Sequence, residues 1–376
     1  MTILFITHYS SMYGANKSLF QLMIELRDLK RVKVCALLPN YGEFADLLKN
    51  NNIEYIISKY YPFKTQKRDF KSYIKTFLNL FLYVIAYFRT KKFHYDIIHS
   101  NSSIIDIGAF FHFISKKTHI WHLREFGVLD YGLKPFFGIH YEKFIYNHGA
   151  DCFIAISKII KTYYERIINN SDIELIYNGV KEKKLDLSTK KVHNPIRFCI
   201  LGLISKNKNQ FQILEAINLL KKKFSENVFH CDFFGDVIDK KENERFINYI
   251  RDNKISKYIT LHGYINNIVD KIDGFDVGLI TSKSEAFGRV TVEYMMSGLA
   301  VIATDTGANL EIIEDGNTGL LYGIENSKNL ADKISQLIIE KNLIHQLSLN
   351  GYSQAKKEYT SIDNTNKIFL LYQKYL

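Results

Sequence analysis

Cysteine and proline are scarce in this chain of 376 residues, with four of each, and tryptophan occurs once. Cys35, Cys152, Cys199 and Cys231 lie far apart, each in or beside an apolar run. No Cys-x-x-Cys or Cys/His pair has metal-ligand spacing, so they read as buried, reduced core residues, which fits a cytoplasmic location. An RNA-binding signature of the Lys/Arg-Gly-Phe type is missing, as is any Cys/His finger, and nucleic acid is not expected as a partner. No basic region precedes the apolar run MTILFITHYS and no small-residue cleavage site follows it. The start therefore reads as a buried strand rather than a secretion signal. Internal repeats and low-complexity tracts are absent too.

What is present is a globular composition, 47% hydrophobic and 24% charged, with a net charge of +11. Such a balance attracts nucleic acid, anionic lipid or phosphorylated substrates, and charge alone does not choose among them. Strand-like runs at 2–7, 33–39, 53–58, 95–100, 118–123, 152–157 and 174–178 fill the first half. A polar, lysine-rich stretch at 181–195 reads as a linker. A second series of strands follows at 197–204, 229–236, 259–264, 277–281 and 300–305, separated by helical patterns at 209–224, 241–253, 289–298 and 328–341. The alternation predicts an α/β protein with two parallel-sheet, Rossmann-like domains facing across a cleft. The expected domains are 1–185 and 196–352, with a terminal helix at 353–376 packing back on the first. Ligands of open α/β sheets sit outside the carboxyl ends of the strands, and the candidate motifs fall there.

The most informative stretch is SEAFGRVTVE, from Ser284 to Glu293. It follows strand 277–281 and leads into a helix starting near Arg289. Gly288 lets backbone approach a ligand, and the N–H groups of Arg289 and Val290, next to Phe287, would face an anion at the helix N-terminus. Glu285 in the loop and Glu293 one turn into the helix could each accept hydrogen bonds from a diol. The plain alternative is that Glu285 caps the helix and Glu293 lies on a solvated face.

The wider context resembles the family 4 glycosyltransferases, retaining enzymes of the GT-B fold whose hallmark is Glu-x7-Glu. Here the pair is Glu285 and Glu293, within SEAFGRVTVEYMMSGLAVIATDTGANLEIIEDGNTGLLY. Further matches are YGANKSL (13–19), WHLREFG (121–127), AISK (155–158), IYNGV (176–180), ILGLISKNKNQ (200–210), FFGD (233–236) and HGYI (262–265). The resemblance implies transfer of a sugar from a nucleoside diphosphate sugar, with Glu293 on the ribose, Glu285 on the donor sugar and Lys208 on the diphosphate. It implies His122 close to the transferred sugar, so the implied catalytic group is His122, Glu285 and Lys208. Donor-side positions are Gly14, Lys208, Glu285, Phe287, Gly288, Arg289, Val290 and Glu293, and Arg124 is an acceptor-side candidate. Glu125 could instead orient Arg124 in an ion pair.

Leu203 departs from the family pattern, which has an arginine there; Lys206 and Arg289 are the candidate substitutes. The Asp-x-Asp metal clamp of the other large glycosyltransferase fold does not occur. No metal or other cofactor is expected, the diphosphate being neutralised by lysine and helix dipoles.

In the first half, His8 to Leu19 read strand–loop–helix, with Gly14 in the loop and the helix starting near Asn16. Segment 59–92 mixes lysine and arginine with an apolar core from Phe77 to Phe88, too short to span a bilayer. It is either an interfacial amphipathic segment against anionic headgroups or a buried helix with a basic outer face. The first alternative puts the protein peripherally at the inner face of the cell membrane, with a lipid-linked sugar as acceptor. The expected function is thus a retaining, UDP-dependent transferase acting on a glycan or lipid-linked saccharide in bacterial surface polysaccharide assembly. A non-catalytic partner subunit and a sugar-nucleotide epimerase are the rival readings.

Overall fold

The computed structural model describes residues 1–169, 171–237, 239–265 and 267–376. The chain forms two compact units: Met1–Lys181 together with Ser361–Leu376, and Glu182–Thr360.

The first unit is built on a seven-stranded parallel sheet. Its strand order is Glu54–Ile57, Lys33–Leu38, Thr2–Ile6, Ile97–Ser100, Thr118–Leu123, Cys152–Ala155 and Asp172–Leu175. Both faces are covered, so the strands read as near-continuous apolar runs. The period of two decides which core each residue joins. Ile3 and Phe5 pack with Leu22 and Met23 of helix Gly14–Lys30 on one face, while Leu4 and Ile6 pack with Ile98 and Phe111 on the other. All four cysteines of the chain are buried and free.

The last helix of this unit, Ser361–Lys374, joins the first of these cores through Ile368 and Leu371. Its Ser361 and Thr365 hydroxyls both donate to the Glu25 carboxylate, at 2.5 and 2.7 Å. The sequence reads as one helix over 353–376, but the structure has two. Helix Lys341–Glu358 ends in the second unit, and Ser361 starts the next one with its backbone N–H on the Val180 carbonyl at 2.9 Å. No glycine or proline marks this break.

The second unit holds a six-stranded parallel sheet in the order Ile259–Leu261, Phe229–Phe234, Ile196–Leu201, Val277–Ile280, Ala300–Thr304 and Leu320–Tyr322. The boundary between the units falls at the start of the stretch read as a linker, 181–195, and its residues from Glu182 on are built into the second unit. Lys183 Nζ donates to the Val269 carbonyl at 2.6 Å, and Lys190 Nζ to the Phe275 and Gly298 carbonyls at 2.9 and 2.8 Å. Burial pushes the Lys190 ammonium down to about 8. Lysines that look like linker composition here satisfy main-chain acceptors at loop ends.

Segment 59–92 contains the 21-residue helix Phe70–Thr90, capped by Asp69, which accepts from the Ser72 N–H at 2.9 Å. Its buried face is Thr76, Asn79, Tyr83, Ala86 and Thr90. Asn79 pairs with both backbone groups of Tyr61, at 2.9 and 2.8 Å, and the Tyr83 hydroxyl donates to Asp106 at 2.5 Å. The inner face is thus held by hydrogen bonds, and the apolar residues point outward. The helix is packed along one face on the first unit, as the second alternative expected, but its outer face is more apolar than basic. Among the described residues, no helix is long and apolar enough to cross a membrane.

Candidate functional site

In the second unit, three neighbouring strand ends are tied together before any ligand is considered. Thr281 Oγ1 donates to the Lys208 carbonyl at 2.6 Å, the Lys283 N–H to the Asn207 carbonyl at 2.8 Å, and Thr304 Oγ1 to the Ser282 carbonyl at 2.7 Å. These bonds frame the loop from strand Val277–Ile280 to helix Arg289–Met296. Gly288 caps that helix in the left-handed region, φ 77° and ψ 46°, where a side chain would be strained. Gly307 lies under the loop, so close that an added Cβ would stand 2.3 Å from the Glu285 carbonyl oxygen.

The loop holds Glu285 with its carboxylate accepting from Ser282 Oγ at 2.7 Å and from Lys208 Nζ at 2.5 Å. Lys208, expected at the diphosphate, and Glu285, expected at the donor sugar, are therefore in direct contact. Glu293 pairs with Arg289 one helical turn earlier, at 2.8 Å, with both side chains largely buried. The helix carrying them is anchored by Tyr294: its hydroxyl donates to the Cys199 carbonyl at 3.0 Å and accepts from the Leu201 N–H at 2.7 Å. Gly278 leaves the space that the Tyr294 ring fills. Phe287 is buried with its ring 6.1 Å from that of Tyr359, so only its backbone is left for a ligand, and Val290 is half-buried. Lys206, one candidate for the role of the missing arginine, is 82% exposed and faces Glu242 at 3.5 Å. Arg289, the other candidate, stands at the helix N-terminus.

The first unit gathers a second group at the carboxyl edge of its sheet. Arg124 Nε donates to Asn101 Oδ1 at 2.7 Å and its guanidinium also reaches Asn178 Oδ1 at 2.5 Å. Glu125 accepts from the hydroxyl of Ser102 and from the Ser103 N–H, the latter at 2.8 Å. Burial raises the Glu125 carboxyl above its ordinary value. Gly14 is not in the loop: it is the first residue of helix Gly14–Lys30, two positions earlier than expected, with Tyr13 as cap.

His122 is fully buried, and so are its partners. Its Nδ1 lies 3.2 Å from His99 Nε2, and His99 Nδ1 lies 2.7 Å from the Tyr372 hydroxyl. Burial, with Arg124 nearby, drives both imidazoles well below their usual values, so they are neutral. The direction of the chain follows from its far end. If the Tyr372 hydroxyl donates to His99 Nδ1, then His99 Nε2–H donates to His122 Nδ1, and His122 presents an Nε2–H donor. The reverse leaves a buried hydroxyl proton with no acceptor among the described residues. His122 Nε2 itself has no partner among them, nor do the buried His8 Nδ1 and Asn16 Oδ1. Desolvation lowers His8 to about 3, which keeps it neutral as well.

Sequence reasoning missed His8, Asn16, His99 and Tyr372. His8 and His99 stand just after or at the end of strands, the position where ligand-facing residues are sought. Nothing in the sequence ties Tyr372 to His99, from which it is separated by 273 residues.

Comparison with known proteins places both halves. The pattern of the Glycosyltransferase Family 4 matches residues 12–184, and that of the Glycosyl transferases group 1 matches residues 182–354. An uncharacterized 41.2 kDa protein in the cps region of Klebsiella pneumoniae is 27% identical over 327 residues, 80% of this chain and 85% of that protein. The capsular polysaccharide biosynthesis glycosyltransferase CapH of Staphylococcus aureus is 27% identical over 170 residues, 42% of this chain and 47% of its own. Among solved structures, HepE of Anabaena in complex with UDP superposes with a TM-score of 0.83 at 20% identity, covering 100% of both chains, which shows a shared fold. The two patterns together span nearly the whole sequence, and the chain belongs to the family 4 glycosyltransferases, an enzyme of the glycosyl transferases group 1.

Proposed function

We propose that the protein transfers a sugar from a UDP-sugar, with retention of configuration and without a metal, to a glycan or lipid-linked saccharide in the assembly of a bacterial surface polysaccharide. The observation that carries this reading is the contact between Lys208 and Glu285 beside the Gly288-capped helix that bears Glu293. It puts a cation, two carboxylates and a helix N-terminus at the carboxyl ends of neighbouring strands, which suits a diphosphate flanked by sugar hydroxyls. The UDP bound by HepE and the capsular polysaccharide biosynthesis in the name of CapH support the choice of donor and pathway.

In this reading, Lys208 leaves Glu285 for the diphosphate when the donor arrives, and the freed carboxylate accepts hydrogen bonds from the donor sugar. Each group keeps a partner, the lysine the diphosphate and the carboxylate the hydroxyls, so the largely buried carboxylate is not left unpaired. The helix dipole at Gly288 to Val290 shares in neutralising the leaving diphosphate, with Arg289 the cation nearest in sequence to replace the arginine absent at Leu203. Glu293 holds the ribose. Within the first unit, His122 offers its Nε2–H to a sugar oxygen and Arg124 serves the acceptor. The leaving diphosphate takes the acceptor proton on the face from which it departs, so no carboxylate nucleophile is required, in contrast with retaining hydrolases.

The test is release of nucleoside diphosphate from a panel of UDP-, GDP- and ADP-sugars, with and without EDTA, repeated with Glu285→Gln. Release from a UDP-sugar only, unchanged by EDTA and at least about a hundredfold slower in the variant, supports the reading. Release from a GDP- or ADP-sugar instead, or loss of activity on chelation, contradicts the carrier or the metal-free mechanism respectively. Proton NMR of the product reads the anomeric configuration, and inversion would rule out the proposed stereochemistry.

A further inference from the structure

The helix Phe70–Thr90 is amphipathic in the unusual sense. Its hydrogen-bonding residues face the protein and its large apolar residues face out. Phe70, Phe77, Leu80, Phe81 and Phe88 are between 61% and 79% exposed. At 100° per residue, Phe70, Phe77, Phe81 and Phe88 fall within a narrow sector opposite Asn79 and Tyr83. A soluble surface rarely leaves so many adjacent aromatic and aliphatic side chains uncovered, and a patch of this kind marks an interaction site.

Charge decides what covers it. The helix contains no acidic residue, and Asp69 just before it is used as the cap. Lys67, Arg68, Lys71 and Lys75 cluster around its amino-terminal end, and Lys91 and Lys92 follow its carboxyl-terminal end, all exposed. Lys91 Nζ lies over the rings of Tyr87 and Phe88, at 5.1 and 5.0 Å from their centroids. An apolar stripe with cations at both ends fits a surface that is apolar below and anionic above. A second copy of this chain would bring one basic rim against another, and an aqueous polysaccharide offers no apolar phase for the phenylalanines.

We infer that helix Phe70–Thr90 is a membrane-docking element that lies in the plane of an anionic bilayer, its phenylalanine stripe inserted at the headgroup–acyl boundary and its flanking lysines on the headgroups. The helix is about 32 Å long at 1.5 Å per residue, enough to lie along the surface with its stripe buried about 5–10 Å deep. The inner face stays on the protein through Asn79 and Tyr83, so docking needs no unfolding. The inference deepens the lipid-linked acceptor part of the proposed function, and it does not depend on which sugar is transferred.

The test is flotation of the full-length protein with vesicles of phosphatidylcholine alone and of phosphatidylcholine mixed with phosphatidylglycerol. Three proteins are compared: the wild type, Phe77→Ser/Phe81→Ser, and Lys71→Gln/Lys75→Gln. Wild type is expected to float with the anionic vesicles and to be released by high salt. The phenylalanine variant should bind at least about tenfold more weakly, and the lysine variant should bind more weakly with a shallower salt dependence. Thermal unfolding checks that both variants fold, and nucleotide binding, which lies in the other unit, separates failure of docking from failure of the donor reading. Absence of vesicle binding, or binding indifferent to the phenylalanine variant, overturns the inference. So does a wild-type dimer in light scattering that Phe77→Ser/Phe81→Ser dissociates, because a second copy would then be the occupant.

Discussion

Replacing Gly307 by alanine would strike Glu285 without touching its side chain. Gly307 has φ of +57°, and a Cβ there would meet the Glu285 carbonyl oxygen at 2.3 Å and its nitrogen at 2.8 Å. Two costs follow. The left-handed backbone costs alanine about 1–2 kcal/mol. The clash is with main chain, so relief to an ordinary contact near 3.2 Å requires the loop to move by about 0.9 Å. The loop is tied by Ala308 N–H to the Glu285 carbonyl at 2.9 Å and by Thr304 Oγ1 to the Ser282 carbonyl at 2.7 Å, so the shift would be passed to the Glu285 carboxylate and its contact with Lys208. A displacement of about 1 Å in a positioning group costs about a hundredfold in rate. Gly316 supplies the control: its φ is +78°, but an added Cβ there meets nothing within 4 Å. Gly316→Ala should lower the melting temperature by about 2–4 °C per kcal/mol of strain and leave turnover unchanged. Gly307→Ala should do the same or worse to stability and also lower kcat/KM for donor turnover by about a hundredfold. Equal activity in the two variants would refute the claim that the Gly307 contact positions Glu285.

Three other perturbations probe the first unit. His8 and His119 are buried and held to about 3, so between that value and the ordinary 6.5 the unfolded chain binds protons that the folded chain refuses. Stability must therefore fall as pH drops, by about 2 kcal/mol per such histidine between pH 7 and pH 5; urea unfolding across that range checks it, and His119→Gln should flatten the slope. Lys64 and Glu142 form an ion pair at 2.5 Å with side chains 1% and 5% exposed. Lys64→Met should cost about 3–5 kcal/mol by stranding the carboxylate, and Lys64→Met/Glu142→Leu should recover most of it; a double variant no more stable than the single would contradict this. Tyr372→Phe removes the donor that sets the direction of the His99–His122 chain. A fall of about tenfold in kcat with donor KM unchanged is expected, and an unchanged kcat would remove Tyr372 from the account.

Much of the donor region could be read in the sequence because its chemistry is local. Glu285, Gly288 and Glu293 lie within one strand–loop–helix turn, and a helix N-terminus follows from a strand run, a glycine and a periodic pattern. Lys208 is distant in sequence but keeps a fixed offset from its own strand, so the resemblance located it. The His122 chain was less visible, because His99 and Tyr372 meet only through the docking of Ser361–Lys374 on the first sheet. The direction of helix Phe70–Thr90 was hidden for a different reason. Hydropathy says which residues are apolar, whereas the inward face was chosen by the match of Asn79 to the Tyr61 backbone and of Tyr83 to Asp106. The lysines of 181–195 misled in the same way: their composition resembles a linker, yet Lys190 has buried carbonyls to satisfy.

The central claim is that the Glu285–Glu293 half binds a uridine nucleotide, and calorimetric titration of the wild type and Glu293→Ala with UDP, GDP and ADP tests it most directly. The account predicts binding of UDP in preference to the others, with stabilisation of about 2.7 kcal/mol at a hundredfold excess over Kd, and loss of that binding in the variant. Equal affinity for UDP in Glu293→Ala, or no binding of any nucleotide by the wild type, would contradict it.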